Sequence, residues 1–238
     1  MSQAVMGRGV AVTFLGHAAF KLTGAGVSVL IDPWLSNPVL NTPVEQVGKV
    51  DVILVTHGHA DHVGETVAVA KATGATVVAI HELSVILAGQ GAPKVIGMNK
   101  GGTLSIAGLK VTMTQAVHSS TMEVAGHQVA AGDPGGFVVQ FPNGFTAYHA
   151  GDTAVFKDME LIRELYHPEL AMLPIGSHYV MSPAEAALAC RLLKPRWVIP
   201  MHYGTFPVLT GTPEELINLL KNEPDIKVIA LKPGETME

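Results

Sequence analysis

The chain has one cysteine, little charge, no block of basic residues and no long hydrophobic run. Its single Cys190 can form no internal disulfide, so the sequence carries no sign of an oxidising compartment. Charged residues make up 15% of the 238 positions, against about 25% in an average soluble domain. A chain this apolar must bury a large core and cannot be intrinsically disordered. The hydrophobic fraction of 48% and mean hydropathy of +0.34 nevertheless include no stretch of the roughly 18–20 apolar residues that a membrane span needs. The best runs, such as Val52 to Val55, are strand-length, so the hydrophobicity is spread over many short buried elements. The net charge of −5, without any Lys/Arg cluster, argues against phosphate-backbone binding, and neither nucleic acid nor membrane is expected as a partner. Met1 to Phe14 lacks the charged-then-apolar pattern of a signal peptide, and a cytoplasmic location is expected.

What the chain does have is histidine. Eleven occur, and His57, His59 and His62 fall within six residues. Neutral imidazole is the commonest protein ligand for borderline cations near neutral pH, so metal binding is the first question.

The apolar pattern reads as strands and helices alternating through both halves. Val10 to Leu15, Phe20 to Leu22 and Val27 to Ile31 suggest a meander, and Val50 to Thr56 a strand buried on both faces. A helix over Gly64 to Thr73, a strand over Val77 to Ile80 and a helix over Glu82 to Leu87 follow, then strands at 95–98, 103–106 and 111–115. Ser119 to Gly136 shows no clear periodicity and is expected to be a long functional or mobile loop. A hairpin around Pro142-Asn143-Gly144, a helix over Phe156 to Tyr166 and a strand over Leu170 to Ile175 come next. Ser182, Pro183 and Glu185 form a capping box for a helix to Leu193, and Thr212 is the N-cap of a helix over Pro213 to Lys221. Strands Trp197 to Met201 and Ile226 to Leu231 complete a chain with no linker and no tandem repeat. One domain over residues 1–238 is expected, with two face-to-face sheets and helices outside.

Thr56-His57-Gly58-His59-Ala60-Asp61-His62 follows the buried strand directly. A tight turn there can aim four ligand-type side chains at one point, provided the spacers Gly58 and Ala60 stay small. This HxHxDH motif resembles the signature of the metallo-β-lactamase fold superfamily of metal-dependent hydrolases. That family completes a binuclear site with a His, a bridging Asp and a final His at later strand ends. His118 lies 56 residues after His62, Asp152 a further 34 and His202 a further 50, each at the end of an expected strand. Finer features, namely Leu15-Gly16-His17-Ala18, Ile31-Asp32-Pro33-Trp34, Gly151-Asp152-Thr153, Pro174-Ile175-Gly176 and Met201-His202-Tyr203-Gly204, are similar to the small cytoplasmic branch of uncharacterised hydrolases and to ascorbate-6-phosphate lactonase relatives.

The resemblance implies an α/β (α+β) fold, a four-layer αββα sandwich. It places one ion on His57, His59 and His118, and another on Asp61, His62 and His202, with Asp152 bridging. Zinc leads, and manganese, iron or nickel suit the same donors. Two divalent ions against Asp61, Asp152 and a bridging hydroxide leave a net charge of about +1, which tolerates an anionic substrate group or a developing oxyanion. Hydrolysis of a small ester or lactone by that hydroxide is the implied reaction, with Asp61 or His178 handling protons. Phosphodiester hydrolysis at the same centre and a non-catalytic metal-dependent sensor are the alternatives. Secreted β-lactamases of this fold usually place a Cys in the second site, and Cys190, inside a helix, cannot serve. His17, Asp32 and His149 are candidates for the pocket or for orienting ligands, each with a plain structural role as its alternative. The plain alternative, a solvated polar loop for the HxHxDH segment and turn or capping roles for His118, Asp152 and His202, is outweighed by the cluster with its small spacers and three downstream partners. His127 could touch substrate, whereas His81 and His167 are expected to have no direct role. A small-molecule substrate is expected, and a chain this apolar could bury surface in a homo-oligomer.

Overall fold

Three antiparallel pairings establish the first half of each sheet, and parallel crossovers, mostly helical, build the second half. In the computed structural model, which describes residues 7–238, one seven-stranded sheet runs in the order Thr236–Met237, Ala11–Phe14, Phe20–Gly24, Val27–Ile31, Val52–Leu54, Thr76–Ile80, Val95–Met98. The other runs Lys227–Val228, Trp197–Met201, Leu170–Pro174, Thr146–His149, Gly135–Gln140, Leu109–Gln115, Thr103–Ile106. Pairing in each is antiparallel through the meander and parallel through the rest. Parallel neighbours need a crossover. Thr66–Thr73 and His81–Gly89 supply it in the first sheet, and Met159–Tyr166, Pro183–Leu193 and Pro213–Leu219 in the second.

The two sheets share one core. Along Leu170–Pro174, Leu170 and Met172 face the first sheet, while Ala171 and Leu173 pack under the outer helices with Met159, Ala186 and Cys190. Trp197 and Ile199 alternate with Val198 in the same way. On the first sheet's outer face Val69, Ala70, Leu83 and Leu87 of the crossover helices are buried. The result is the expected layering of helix, sheet, sheet and helix. Both capping boxes form: Ser182 Oγ accepts from the Glu185 amide and Thr212 Oγ1 from the Glu215 amide, with each Glu reaching back to the cap. Among the described residues no helix is long and apolar enough to cross a membrane.

Four expectations need correction. The segment 119–136 is not a structureless loop, because Thr121–Val124 pairs with His127–Ala130 and buries Met122 in the core. The expected helix over Gly64 to Thr73 is two pieces, Ala60–Val63 and Thr66–Thr73. The final strand shrinks from 226–231 to Lys227–Val228 because it is an edge with a single short partner. Thr236–Met237, read as no element, closes the first sheet against Ala11–Phe14.

Gly64 explains the helix break. Its φ is +39°, and a Cβ there would lie 2.4 Å from Trp34 Cα and 2.5 Å from the Pro33 carbonyl oxygen. The loop at Pro33 and Trp34 occupies that space, and the Glu65 amide donates to the Pro33 carbonyl at 2.8 Å. Gly64→Ala is therefore expected to lower unfolding free energy by about 3 kcal/mol or more, since backbone rather than a flexible side chain must move. Urea unfolding of the purified variant measures this, and a loss below about 1 kcal/mol would show that the loop yields.

Candidate metal centre

The ligand-type residues lie at the carboxyl ends of strands from both sheets. Strand Val52–Leu54 ends in the turn that carries His57 and His59, and the short helix Ala60–Val63 presents Asp61 and His62. His118 follows Leu109–Gln115, Asp152 follows Thr146–His149, and His202 follows Trp197–Met201 at once. Ligand-type atoms fall into two groups, each within 4.8 Å: His57, His59, His118 and Asp152 in one, and His17, Asp61, His62 and His202 in the other. All seven ligands proposed from the sequence are thus brought together, and His17 joins them.

Gly58 is small for a reason different from chain wrapping. A Cβ there would come within 2.5 Å of Ala131 Cβ and 3.0 Å of the Thr121 carbonyl oxygen, so the hairpin at 121–130 seats directly on the HxH turn. Ala60, by contrast, is exposed and begins the helix. Between this helix and the hairpin opens a cavity of about 400 Å³ lined by His59, Ala60, Val63, Thr121, Met122 and Glu123, among others.

One carboxylate sets the tautomers of two histidines. Thr56 donates its amide to Asp32 Oδ1 at 2.8 Å and its hydroxyl to Asp32 Oδ2 at 2.7 Å. The hydroxyl, having spent its proton, accepts from His57 Nδ1 at 3.0 Å. His62 Nδ1 donates to Asp32 Oδ2 at 2.8 Å. With Nδ1 so engaged, each ring in its neutral form turns the Nε2 lone pair toward the centre. Asp32 is fully buried, and its left-handed φ of +46° is held by this network.

His149 acts one step behind Asp152. It accepts the Gly151 amide at Nδ1 (3.1 Å) and donates from Nε2 to the Ala18 carbonyl (2.9 Å), which pins the turn leading to Asp152. Thr153 Oγ1 accepts the Val117 amide at 2.9 Å, tying the Asp152 turn to the His118 loop. His17, in left-handed backbone at φ +54°, places Nε2 3.0 Å from Asp61 Oδ2 and Nδ1 2.9 Å from Thr205 Oγ1. Its carbonyl accepts the His202 amide at 2.7 Å, and its ring lies 3.9 Å from the His202 ring. His178 is exposed against Tyr179 and belongs to neither group. Sequence reasoning passed over Thr56, Thr153 and Thr205, whose hydroxyls orient the centre. Only Thr56, adjoining His57, offered a local signal.

A cation fits what these atoms lack. His62 Nε2, Asp152 Oδ1 and both ring nitrogens of His202 are buried without a hydrogen-bond partner, although His62 Nε2 lies 3.2 Å from Asp152 Oδ1 and His202 Nε2 lies 3.0 Å from Asp152 Oδ2. His57 Nε2 and His59 Nδ1 approach to 2.9 Å. Converging imidazole and carboxylate donors suit divalent zinc, manganese, iron or nickel, and orphaned buried polar atoms are otherwise costly.

Burial, reinforced by neighbouring His62, pushes the His57 imidazole well below its usual value. Burial also lowers His59, His118 and His149, and it brings His17 to about 4. Burial would lift Asp152, but His202 and His62 more than offset it and hold the carboxyl well below the usual range. Burial would raise Asp61 as well, but the His17 hydrogen bond together with the neighbouring His62 and His17 rings more than offsets it and holds the carboxyl below the usual range. His62 moves the other way: burial lowers it, yet Asp152 and Asp32 together raise it well above its usual value.

These directions set an acid dependence for the metal-free chain. A histidine lowered on folding binds its proton more readily when unfolded, so stability falls as pH drops from about 6.5 toward the folded value, which is about 4 for His17. His62 contributes oppositely, with stability present below about 6.5 and lost as pH rises through its folded value. Five lowered histidines against one raised make loss on acidification the net result. Chelator-treated protein should melt at lower temperature at pH 5 than at pH 7, and a constant or rising melting temperature would contradict the assignment.

Two stacked mixed sheets, helices on their outer faces and a His/Asp cluster at the strand ends define a metal-dependent hydrolase of the metallo-β-lactamase fold. Residues 28–203 match the family model described as Beta-lactamase superfamily domain. The chain belongs to that superfamily and, within it, to the UPF0173 metal-dependent hydrolases. It is 51% identical over 241 residues to the member from Rubrobacter xylanophilus, covering 100% of this chain and 99% of that one. The Methanopyrus kandleri member is 49% identical over 229 residues, covering 95% and 99%. Among solved structures, a metallo hydrolase from Ignicoccus hospitalis superposes with a TM-score of 0.87 at 40% identity, covering 96% of this chain and 97% of that one.

Proposed function

We propose that the chain is a binuclear hydrolase of small esters or lactones, working in the cytoplasm. The observation that carries the binuclear reading is the position of Asp152. One of its oxygens faces His62 at 3.2 Å, and the other faces His202 at 3.0 Å and His118 at 3.5 Å, so a single carboxylate touches both ligand groups. His57, His59 and His118 would hold one ion, Asp61, His62 and His202 the other, and Asp152 both. Such ions supply Lewis acidity and bring the pKa of bound water from 15.7 to about 7.

The protein's own part is orientation and access. Asp32 and Thr56 keep the lone pairs of His57 and His62 turned inward. Asp61 enters as a fixed negative charge, because the His17 hydrogen bond and the nearby His62 and His17 rings together outweigh its burial. His59, Asp61 and His118 are only partly buried, which leaves that side of the centre open beside the 400 Å³ cavity, a volume suited to a small molecule. The buried, unpaired Cys190 fits a reducing setting.

Gentle purification should yield about two equivalents of metal per chain. Metal-reconstituted protein should turn over members of a panel of lactones, thioesters and phosphodiesters. Turnover of phosphodiesters alone would transfer the same centre to phosphoryl chemistry, and a folded protein that takes up no metal would end the binuclear reading.

A further inference from the structure

An aromatic pair, half-buried Trp34 and exposed Phe206, stands against the His17 side of the centre. Trp34 and Phe206 stack at 5.8 Å with 24° between their planes. Both meet the His17 ring edge-on, at 5.0 Å and 5.8 Å, and His17 contacts Asp61 and His202. Phe206 is 37% exposed and Val39, packed against Gly16 just before His17, is 41% exposed. The aromatic pair thus packs on the ring of buried His17, which in turn contacts the metal-ligand cluster.

The pair is held rigidly despite its exposure. The Glu65 carboxylate accepts the Leu35 amide at 2.6 Å and the Ser36 hydroxyl at 2.7 Å, while the Glu65 amide holds the Pro33 carbonyl at 2.8 Å. Asn37 donates to the Trp34 carbonyl at 2.8 Å and to the Leu15 carbonyl at 2.9 Å, joining the Trp34 loop to the His17 turn. On the other side, the Leu209 amide closes on the Phe206 carbonyl at 2.9 Å, and Thr205 bonds His17. A surface aromatic needs none of this to remain at a surface. Aromatic rings fixed in register with a reactive centre are what an apolar substrate group requires, because the ordering cost is met before binding.

We infer that Trp34 and Phe206 form a specificity subsite that seats the apolar or aromatic group of the substrate beside its scissile bond. The inference rests on the ester and lactone reading and narrows it to substrates carrying a hydrophobic substituent.

Two measurements test it on metal-reconstituted protein. In γ-lactones with lengthening n-alkyl chains, kcat/KM should rise about fourfold per added methylene until the aromatic pair is covered. Trp34→Ala and the milder Phe206→Leu should both shrink the ratio of long-chain to short-chain kcat/KM, by about an order of magnitude for Trp34→Ala. Binding is read independently from tryptophan emission with unreactive 4-phenylbutyrate. The other tryptophan, Trp197, is 2% exposed beneath the Arg196 guanidinium, so the saturable change should vanish in Trp34→Phe and persist in Trp197→Phe. If no lactone is cleaved but the Trp34-dependent emission change saturates, the subsite stands and the ester reading falls. Lactones cleaved without chain-length dependence, or an emission change that survives in Trp34→Phe, would overturn the subsite and leave the hydrolase reading intact.

Discussion

Asp152→Ala is expected to reduce kcat/KM by about a thousandfold or more, equivalent to at least about 4 kcal/mol of transition-state stabilisation, and to lower bound metal from about two ions per chain to one or none. The expectation follows from geometry. Among the described residues Asp152 is the only carboxylate within 4 Å of donor nitrogens on His57, His62, His118 and His202 at once, at distances from 3.0 to 3.9 Å. Its removal leaves four buried or half-buried imidazoles converging on an empty volume with no negative charge between them. The fold should survive, because the turn is held by groups that do not involve the carboxylate: the His149 bonds to Gly151 and Ala18, and the Thr153 bond to Val117. Elemental analysis, circular dichroism and turnover on the same preparation separate these effects. A well-folded variant that retains two ions and more than about a tenth of the activity would remove Asp152 from the bridging position.

The candidate ligands were legible in the sequence because metal chemistry confines such residues to few types and the fold confines them to strand ends. His57, His59, Asp61 and His62 announce themselves by proximity, and His118, Asp152 and His202 by the apolar runs before them. The alternation of strands with helices was legible for the same reason, since strands buried on both faces leave near-continuous apolar runs. The hairpin at 121–130 was not. Its turn is Ala125-Gly126, with φ of +52° and +79°, where Asn-Gly or Asp-Gly would have advertised a type I′ turn. Ala25-Gly26 and Ala107-Gly108 make the same turn, and there the flanking strands rather than the turns were legible. The aromatic pair was invisible for another reason: Trp34 and Phe206 are brought together solely by the packing of two distant loops. At His178 the same signal does not lead to the metal-ligand cluster. Its loop follows a strand, as the ligands do, yet the ring faces solvent beside Tyr179.

Asp32→Asn should be nearly as damaging as loss of a ligand, although Asp32 is not placed among the ligands. The substitution conserves volume, and the amide oxygen can still accept the Thr56 amide where Oδ1 does now. The NH2 group then falls at the position of Oδ2, which at present accepts from the Thr56 hydroxyl and from His62 Nδ1. An amide nitrogen there donates, so His62 must turn its Nδ1 into an acceptor and carry its proton on Nε2. That proton points at Asp152 Oδ1, 3.2 Å away, in the space a metal would occupy. The Thr56 hydroxyl is disturbed as well, and with it the Nδ1 bond that holds His57. Partners of metal-bound histidines commonly contribute about 10–100-fold in affinity. Two histidines misdirected by one change should exceed that, with the ion on Asp61, His62 and His202 lost first. Activity should fall by about a hundredfold to ten-thousandfold, as when a wrong tautomer disables a catalytic histidine. Nitrogen-15 NMR of the imidazoles supplies a readout that mere destabilisation would not move: in the metal-free variant His62 should have lost its Nδ1 proton and kept one on Nε2, whereas the metal-free parent keeps the Nδ1 proton. A variant with His62 still protonated at Nδ1 and both metals bound at wild-type affinity would show that Asp32 supports the fold without directing the site.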